Sequence, residues 1–213
     1  LAIMLAQAER MQRLVDDLLS LSRIELEEHI APRERQALGA LALEVAEAMG
    51  PVARERGTRI EARLEAPGPR VRGDRDQLAQ AIGNLIENGL KYGGGSAVEV
   101  ALKEDPRRPG MVGLAVVDHG EGIAREHLPR LTERFYRVSV KRSRDQGGTG
   151  LGLAIVKHIL SRHRGELEIE SERGEGSRFT LWLPRDGERA APESEAAGDG
   201  APGVRSAAER AGA

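Results

Sequence analysis

The sequence predicts an α+β fold, because stretches with helical periodicity alternate with short segments in which every second residue is apolar. Helical patterns cover residues 37–56, 74–91 and 149–163. Strand-like alternation covers residues 60–64, 97–103 and 111–118, and then recurs on both sides of the turn at Gly174-Glu175-Gly176. Turns rich in Gly and Pro join neighbouring strands, which indicates antiparallel hairpins packed with helices in one domain.

The composition excludes several classes of function. The 32 basic and 34 acidic residues nearly balance, so no net charge favours binding to nucleic acid or to an anionic membrane. The chain has no cysteine, which removes disulfides, thiolate metal sites and cysteine nucleophiles. No apolar run approaches the roughly 20 residues that cross a bilayer. The chain is therefore expected to be soluble. It begins at Leu1, without a methionine and in the middle of a pattern, so we also expect it to be a piece of a longer protein.

Residues 1–30 predict a long amphipathic helix. Its apolar residues recur at steps of four and three, the spacing of a helical bundle or coiled-coil seam; they are Met4, Ala8, Met11, Val15 and Leu18. A single helix with so broad an apolar face needs a partner, either from a hairpin or from a second chain. The alternative is an internal core helix of one globular domain. Residues 31–36, which contain Pro32, are predicted to be a linker.

The helix predicted over residues 74–91 has two different faces. Asp74 is a suitable N-cap, and Gln77 three residues later can complete a capping box. At about 100° per residue, Asn84, Asn88 and Lys91 lie opposite an apolar stripe. Two carboxamides can offer neutral oxygens to a hard cation, and an ammonium can bind phosphate. Alone, the same stripe is more typical of an ordinary solvated helix face.

Two glycine motifs follow this helix. Residues 147–152 read Gly-Gly-Thr-Gly-Leu-Gly before a helix, where backbone N–H groups suit phosphate oxygens. A Walker P-loop would require Gly-Lys-Ser/Thr, and a dinucleotide-binding loop would follow a strand, so neither motif fits. Asp118-x-Gly120-x-Gly122-Ile123 follows a predicted strand, and its aspartate could accept a hydrogen bond from an exocyclic amine. A tight Asp-Gly turn remains the alternative for this second motif.

The ordered combination resembles the N, G1, F and G2 boxes of sensor histidine kinases. The boxes are Asn84-x-x-x-Asn88-x-x-Lys91-Tyr92, Asp118-x-Gly120-x-Gly122, Phe135-Tyr136 and Gly148-x-Gly150-x-Gly152. The resemblance covers residues 1 to about 184. It implies that residues 37–185 form a two-layer α/β sandwich, the Bergerat or GHKL ATP-binding fold. Residues 1–30 resemble the second helix of the dimerisation and phosphotransfer hairpin, while residues 186–213 have the composition of a disordered tail.

The resemblance implies a role for each matching residue, with ATP and Mg²⁺ as cofactors. Asn84 and Asn88 are expected to reach the Mg²⁺ that bridges the phosphates, and Lys91 a phosphate. Tyr92 is expected at the ribose or phosphate edge. Asp118 would bind N6 of adenine. The residues expected to shape the pocket for the base are Gly120, Gly122 and Ile123.

The resemblance also implies a mobile lid over residues 124–148. Phe135 and Tyr136 are expected to anchor this lid, and Arg137 or another basic lid residue is expected to meet the γ-phosphate. Such groups suit phosphoryl transfer, in which the protein mainly positions the substrate and neutralises charge. The residues expected to line the triphosphate are Gly148, Thr149, Gly150, Leu151 and Gly152.

The family phosphorylates a histidine that is followed by an acidic residue and Thr-Pro, a context that this sequence lacks. We interpret each of its histidines as a surface or loop residue; they are His29, His119, His127, His158 and His163. The phosphoacceptor and its neighbouring acidic general base are therefore expected upstream of Leu1. This fragment is predicted to bind ATP without being able to complete autophosphorylation by itself.

Two rival functions stay open. Related ATPases such as DNA gyrase carry a glutamate at the first N-box position, where this chain has Asn84, whose carboxamide cannot activate water. Glu87 lies about 60° to 100° around the helix from the asparagine stripe, so phosphotransfer is favoured over hydrolysis. The other rival is a nucleotide-binding regulatory module that sets the conformation of the hairpin without catalysis.

The resemblance implies partners and a location for the full-length protein. The phosphoryl group would pass to an aspartate of a response-regulator receiver domain, and the hairpin would form a homodimer. The Arg- and Leu-rich segment 13–23 resembles the phosphate-sensing branch of the family, among others. Such sensors are often membrane proteins with a cytoplasmic kinase core. We therefore expect this fragment to be cytoplasmic and to make no contact with a membrane or with nucleic acid.

Overall fold

The computed structural model describes residues 2–27, 29–64, 66–138 and 148–187. Within these ranges the α-helices are α1 (Ala2–Leu26), α2 (Leu38–Glu55), α3 (Arg75–Tyr92) and α4 (Gly152–Arg162). A 3₁₀ helix covers Arg125–Arg130. The strands are β1 (Arg35–Ala37), β2 (Ile60–Arg63), β3 (Arg70–Arg72), β4 (Val98–Lys103), β5 (Met111–Asp118), β6 (Glu166–Glu172) and β7 (Gly176–Pro184).

The main sheet has five strands in the order β2-β4-β5-β7-β6. The β4–β5 and β6–β7 neighbours are antiparallel hairpins, as the sequence predicts, and β5 pairs with β7 so that Leu114 lies opposite Leu181. The edge strand β2 runs parallel to β4. The connection between them is a long crossover that contains β3 and the whole of α3. The α+β class and its sheet are therefore confirmed.

Helices α2, α3 and α4 cover one face of this sheet and bury the main core between them. The predicted apolar stripe of α3 is fully buried at Leu78, Ile82 and Leu85. Because the side chains of a strand alternate, Trp182 lies on the other face, between the core residues Leu181 and Leu183. Its indole is nevertheless fully buried and donates to Glu168 over 2.8 Å.

Two short strands lie outside the predicted pattern. Strand β1 begins at Arg35, inside the predicted linker, and pairs with β3 in a separate two-stranded sheet. The predicted tail is also structured at its start, because Asp186 accepts from Arg72 and pairs with Arg35, and its N–H donates to Arg70. Strands of three residues carry too little alternation to be recognised from the sequence. The predicted tail beyond Gly187 lies outside the described residues.

Helix α1 packs against α4 through only one side of its C-terminal half. Leu21 and Ile24 join the main core, with Leu14 partly buried beside them. The predicted seam stays exposed, by 75% at Met4 and 45% at Leu18. The seam therefore has no cover within the described residues. None of the helices in those residues is long and apolar enough to cross a membrane.

Candidate nucleotide-binding site

A cavity of about 520 Å³ opens between α1, α3, the end of β5 and the N-terminus of α4. Most of the predicted site residues line it. They are Asn84, Asn88, Lys91, Tyr92, Asp118, Gly122, Ile123, Tyr136, Arg137, Gly148, Thr149, Gly150 and Gly152. The remaining predicted residues, Gly120, Phe135 and Leu151, lie beside the cavity without lining it.

The start of α3 is fixed by more contacts than the predicted capping box. The Asp74 carboxylate accepts from the N–H groups of Asp76 and Gln77, at 3.1 Å each. The reciprocal half of the box is absent, because the Asp74 N–H donates to Nε2 of His163 over 3.0 Å. The buried Oε1 of Gln77 has no partner within the described residues. His163, which is 4% exposed, is therefore a core residue, and the interpretation of it as a surface histidine was wrong.

The polar stripe of α3 forms one wall of the cavity. The Lys91 side chain is 8% exposed, and its ammonium contacts the Glu87 carboxylate one turn earlier at 2.8 Å. The Asn84 amide group lies 3.4 Å from the carbonyl oxygen of Gly152 at the start of α4. This contact directs the Asn84 carboxamide towards the glycine loop. The stripe is therefore not an ordinary solvated face, because it borders a cavity and its only ammonium is buried.

The opposite wall is built around Asp118, the last residue of β5. Its side chain is buried and accepts from the Gly120 N–H over 3.0 Å. Burial raises the pKa of Asp118, while hydrogen bonds from Gly120 and Ser177 partly offset that effect. Gly120 allows a close approach to α3, since a Cβ atom there would lie 2.0 Å from the carbonyl oxygen of Tyr92. The absence of a side chain at Gly120 thus lets the segment after β5 pack directly against the end of α3.

The glycine loop and the described part of the predicted lid contact each other. Gly150 has a φ of +78°, and its carbonyl oxygen accepts from the Phe135 N–H over 2.8 Å. The Phe135 side chain is 56% exposed, so its backbone rather than its ring meets the loop. The Arg137 guanidinium donates to the Gly148 carbonyl oxygen. The basic lid segment 139–147 lies outside the described residues.

Tyr136 reaches the cavity together with a residue that the sequence did not indicate. Its hydroxyl lies 2.7 Å from Nδ1 of His127, and the Arg130 guanidinium stacks 4.2 Å from the centre of its ring. His127 and Tyr136 both line the cavity. The 3₁₀ helix places His127 there, and neither its spacing nor its neighbours in the sequence distinguish it from a surface histidine.

Helix α1 supplies a third wall, which the sequence also did not indicate. Arg13, Asp16 and Asp17 line the cavity, and the Asp17 carboxylate accepts from the Thr149 hydroxyl over 2.7 Å. Burial raises the pKa of Asp17, and the Thr149 hydrogen bond opposes that shift. This contact joins residues 132 positions apart and depends on how α1 packs, so no local pattern could predict it.

This fold and cavity are those of an ATP-binding α/β sandwich. Residues 73–187, more than half of the chain, match the family described as histidine kinase-, DNA gyrase B- and HSP90-like ATPases. The chain therefore belongs to that family.

Curated relatives narrow the similarity to sensor histidine kinases. The phosphate regulon sensor protein PhoR of Pseudomonas aeruginosa is 40% identical over 191 residues, which is 88% of this chain and 42% of that protein. The sensor-like histidine kinase SenX3 of Mycolicibacterium smegmatis is 38% identical over 183 residues, 85% of this chain and 46% of that protein. The chain thus spans less than half the length of these two relatives.

Solved structures agree with this similarity. Full-length ShkA in complex with AMPPNP matches 84% of this chain and 37% of that one, with a TM-score of 0.71 and 27% identity. The mycobacterial sensor histidine kinase MprB matches 72% of this chain and 97% of that one, with a TM-score of 0.59 and 25% identity. The predicted resemblance to the ATP-binding domain of sensor histidine kinases is therefore confirmed.

Proposed function

We propose that this chain is the catalytic part of a sensor histidine kinase, which binds Mg-ATP and transfers the γ-phosphoryl group to a histidine. One observation carries the proposal: the carboxamides of Asn84 and Asn88 face the same cavity as Asp118 and the glycine loop. Within that cavity, Asp118 would bind the adenine amine, and Ile123 and Gly122 would contact the base. Tyr92 would lie near the ribose, while Thr149 and Gly150 would contact the phosphates.

Mg²⁺ fits this donor set when it arrives with the nucleotide. Within the described ranges, no three His, Cys, Asp or Glu side chains group together as a metal cage. The asparagine oxygens are neutral, hard ligands, and a magnesium ion completes its coordination with phosphate oxygens and water. When bound, the ion would neutralise charge that develops on the phosphates. We therefore assign Asn84 and Asn88 to hold it.

The chemical step would exchange one bond to phosphorus for another. The bond from the γ-phosphorus to the bridging oxygen breaks as a bond to a histidine nitrogen forms, and ADP leaves with the bridging oxygen. The proton of the attacking imidazole passes to an acidic general base beside it. Lys91, Arg137 and the loop N–H groups would stabilise the transferred charge. We assign both the acceptor and the base to the first hairpin helix.

Hydrolysis of ATP is the weaker alternative. An ATPase requires a base that activates water beside the γ-phosphate, and Asn84 has no basic lone pair. Glu87 does line the cavity, but its carboxylate is engaged by the Lys91 ammonium at 2.8 Å. A free carboxylate is therefore missing from the face where the two asparagines lie.

The exposed seam of α1 supports the proposed assembly of the whole protein. Met11 is 67% exposed and Val15 50% exposed, on a helix that resembles half of a hairpin. We assign residues 1–30 to that hairpin and propose that it forms a homodimer with a second copy. The phosphoryl group would then pass to a response-regulator receiver domain. We place this kinase core in the cytoplasm, attached in the full-length protein to a membrane sensor.

The test mixes this chain with γ-labelled ATP and a separate hairpin polypeptide that carries the histidine. Label on that histidine is expected, and a hairpin with the histidine replaced by alanine is the control. ATP binding is measured in parallel by calorimetry. Binding without any label on the histidine would contradict the transferase function, whereas release of free phosphate at a catalytic rate would favour the ATPase alternative.

A further inference from the structure

The contact between Asp17 and Thr149 links the hairpin helix to the nucleotide loop. The Thr149 hydroxyl donates to the Asp17 carboxylate over 2.7 Å, and the same hydroxyl oxygen lies 3.3 Å from the Leu151 N–H. Thr149 therefore spans from α1 to the first turn of α4. Through this hydroxyl, a residue outside the ATP-binding sandwich influences the geometry of the Gly148–Gly152 loop.

Helix α1 is held in this position by contacts of the residues that follow Asp17 along the helix. Leu21 and Ile24 are 2% exposed and belong to the main core. The Ser20 hydroxyl donates to the Gln80 side chain of α3 over 2.9 Å. Glu25 pairs with Arg134, which lies in the described part of the predicted lid. The docked helix thus contacts α3, α4 and this described part of the lid.

The Asp17 carboxylate opposes the arrival of a triphosphate. It lines the cavity and accepts from the Thr149 hydroxyl, whereas the nearby charges of Glu87 and Lys91 act on Asp17 in opposite directions. Burial already disfavours the charged form of Asp17, which raises its pKa. Phosphate oxygens would add further negative charge and would compete for the same hydroxyl donor. The docked α1 and the phosphates therefore compete for one hydrogen-bond donor, the Thr149 hydroxyl.

This inference rests on the proposed nucleotide function. We propose that Asp17 is a positioning residue for the nucleotide loop: when α1 is docked, its carboxylate holds the Thr149 hydroxyl, and nucleotide phosphates must displace it. Because coupling between two binding events is reciprocal, phosphates weaken the docking of α1 by the same factor as docking weakens their binding. A movement of the hairpin would thereby change the affinity of the site for ATP.

Asp17→Ala tests the coupling, and Asp16→Ala is the comparison. Asp16 also lines the cavity and carries the same charge, but its carboxylate accepts from Gln12 on its own helix, whereas the Thr149 hydroxyl donates to Asp17. The probes are AMPPNP with Mg²⁺, which carries the phosphates, and adenosine, which lacks them. Asp17→Ala should bind AMPPNP about fivefold more tightly or better. Its affinity for adenosine should stay unchanged. Asp16→Ala, which removes one negative charge without releasing the Thr149 hydroxyl, should gain less affinity for AMPPNP than Asp17→Ala does and none for adenosine.

Two further measurements exclude a purely structural effect. In a Thr149→Val background, Asp17→Ala should give no further gain, because the hydroxyl that couples them is absent. In the wild type, AMPPNP should accelerate amide hydrogen exchange in residues 14–26 of α1. Unfolding temperatures of the variants confirm that each remains folded.

The inference is overturned if Asp17→Ala binds AMPPNP no more tightly than the wild type, or if Asp16→Ala shows the same gain. A gain that extends equally to adenosine would also overturn it, because the effect would not concern the phosphates. A wild-type chain that binds no AMPPNP would overturn the proposed function as well. Binding that is merely insensitive to Asp17 would leave the proposed function intact.

Discussion

His163 and Asp74 are joined by a hydrogen bond in which the Asp74 backbone N–H donates to Nε2 of the imidazole over 3.0 Å. The other ring nitrogen, Nδ1, lies 2.6 Å from the Ile159 carbonyl oxygen and so carries the proton. Only the neutral imidazole can accept at one nitrogen while it donates at the other. The bond therefore ties the end of α4 to the beginning of α3.

Stability should fall on acidification through His163. Burial lowers the pKa of this imidazole below the usual 6.5, so below that pH the unfolded chain binds more protons than the folded one. The stabilising contribution is thus present above the unfolded pKa and is lost as pH falls. His163→Gln, which retains an acceptor oxygen, should reduce the loss of unfolding free energy between about pH 7.5 and 5.5. Urea titrations at both pH values measure the unfolding free energy of the variant and the wild type.

The control for this prediction is His29→Gln. His29 is exposed in the segment between α1 and β1. This variant should lose as much stability on acidification as the wild type. An equal loss in His163→Gln would show that the buried imidazole is not the group responsible.

Gly122 should tolerate no side chain. Its φ is +65°, and a Cβ atom would lie 1.9 Å from the backbone oxygen of Glu172 in the neighbouring hairpin. Gly174 is the control, because its φ of +88° is also unfavourable for alanine but no atom lies within 4 Å. Gly122→Ala should cost more than about 3 kcal/mol of unfolding free energy, and Gly174→Ala about 1–2 kcal/mol. Equal losses in urea unfolding would refute the steric explanation.

The sequence was sufficient for the parts of this site that are local. The apolar period of α3, the alternation of β5 and the glycine loop each lie within one segment, so their residue spacing predicts their structure. The capping box was predicted only in part, because His163 replaces the expected Gln77 contact and comes from 89 residues away. Asp17 and His127 escaped prediction for the same reason. Their contacts arise from packing between segments, which single-sequence periodicity does not encode.

Asn88 should make nucleotide binding depend on Mg²⁺. If its carboxamide oxygen holds the ion, the wild type binds ATP more tightly with Mg²⁺ than with EDTA, and Asn88→Ala loses about tenfold or more of that advantage. Gln36→Ala is the control, because its amide contacts the Glu34 side chain beside β1 and does not line the cavity. Calorimetric titrations of the wild type, Asn88→Ala and the control in both buffers give the six affinities. An Asn88→Ala variant with the full magnesium advantage would remove this residue from the metal site.

Asp118 should determine which base the site accepts. The Gly120 N–H donates to the Oδ1 atom of Asp118 over 3.0 Å. In Asp118→Asn, this N–H would keep the carbonyl oxygen of the new side chain on the same side. The amide group of the variant would then face the N6 amine of adenine with a second donor. ATP affinity should fall about tenfold or more.

Inosine triphosphate, which carries an oxygen acceptor in place of that amine, distinguishes a change of recognition from a loss of folding. Asp118→Asn should raise the ratio of inosine triphosphate affinity to ATP affinity, because its new donor meets an acceptor. Asp105→Asn is the control, since that aspartate binds Arg107 in a turn outside the cavity and should leave both affinities unchanged. If Asp118→Asn weakened both nucleotides equally, the aspartate would support the cavity without reading the base.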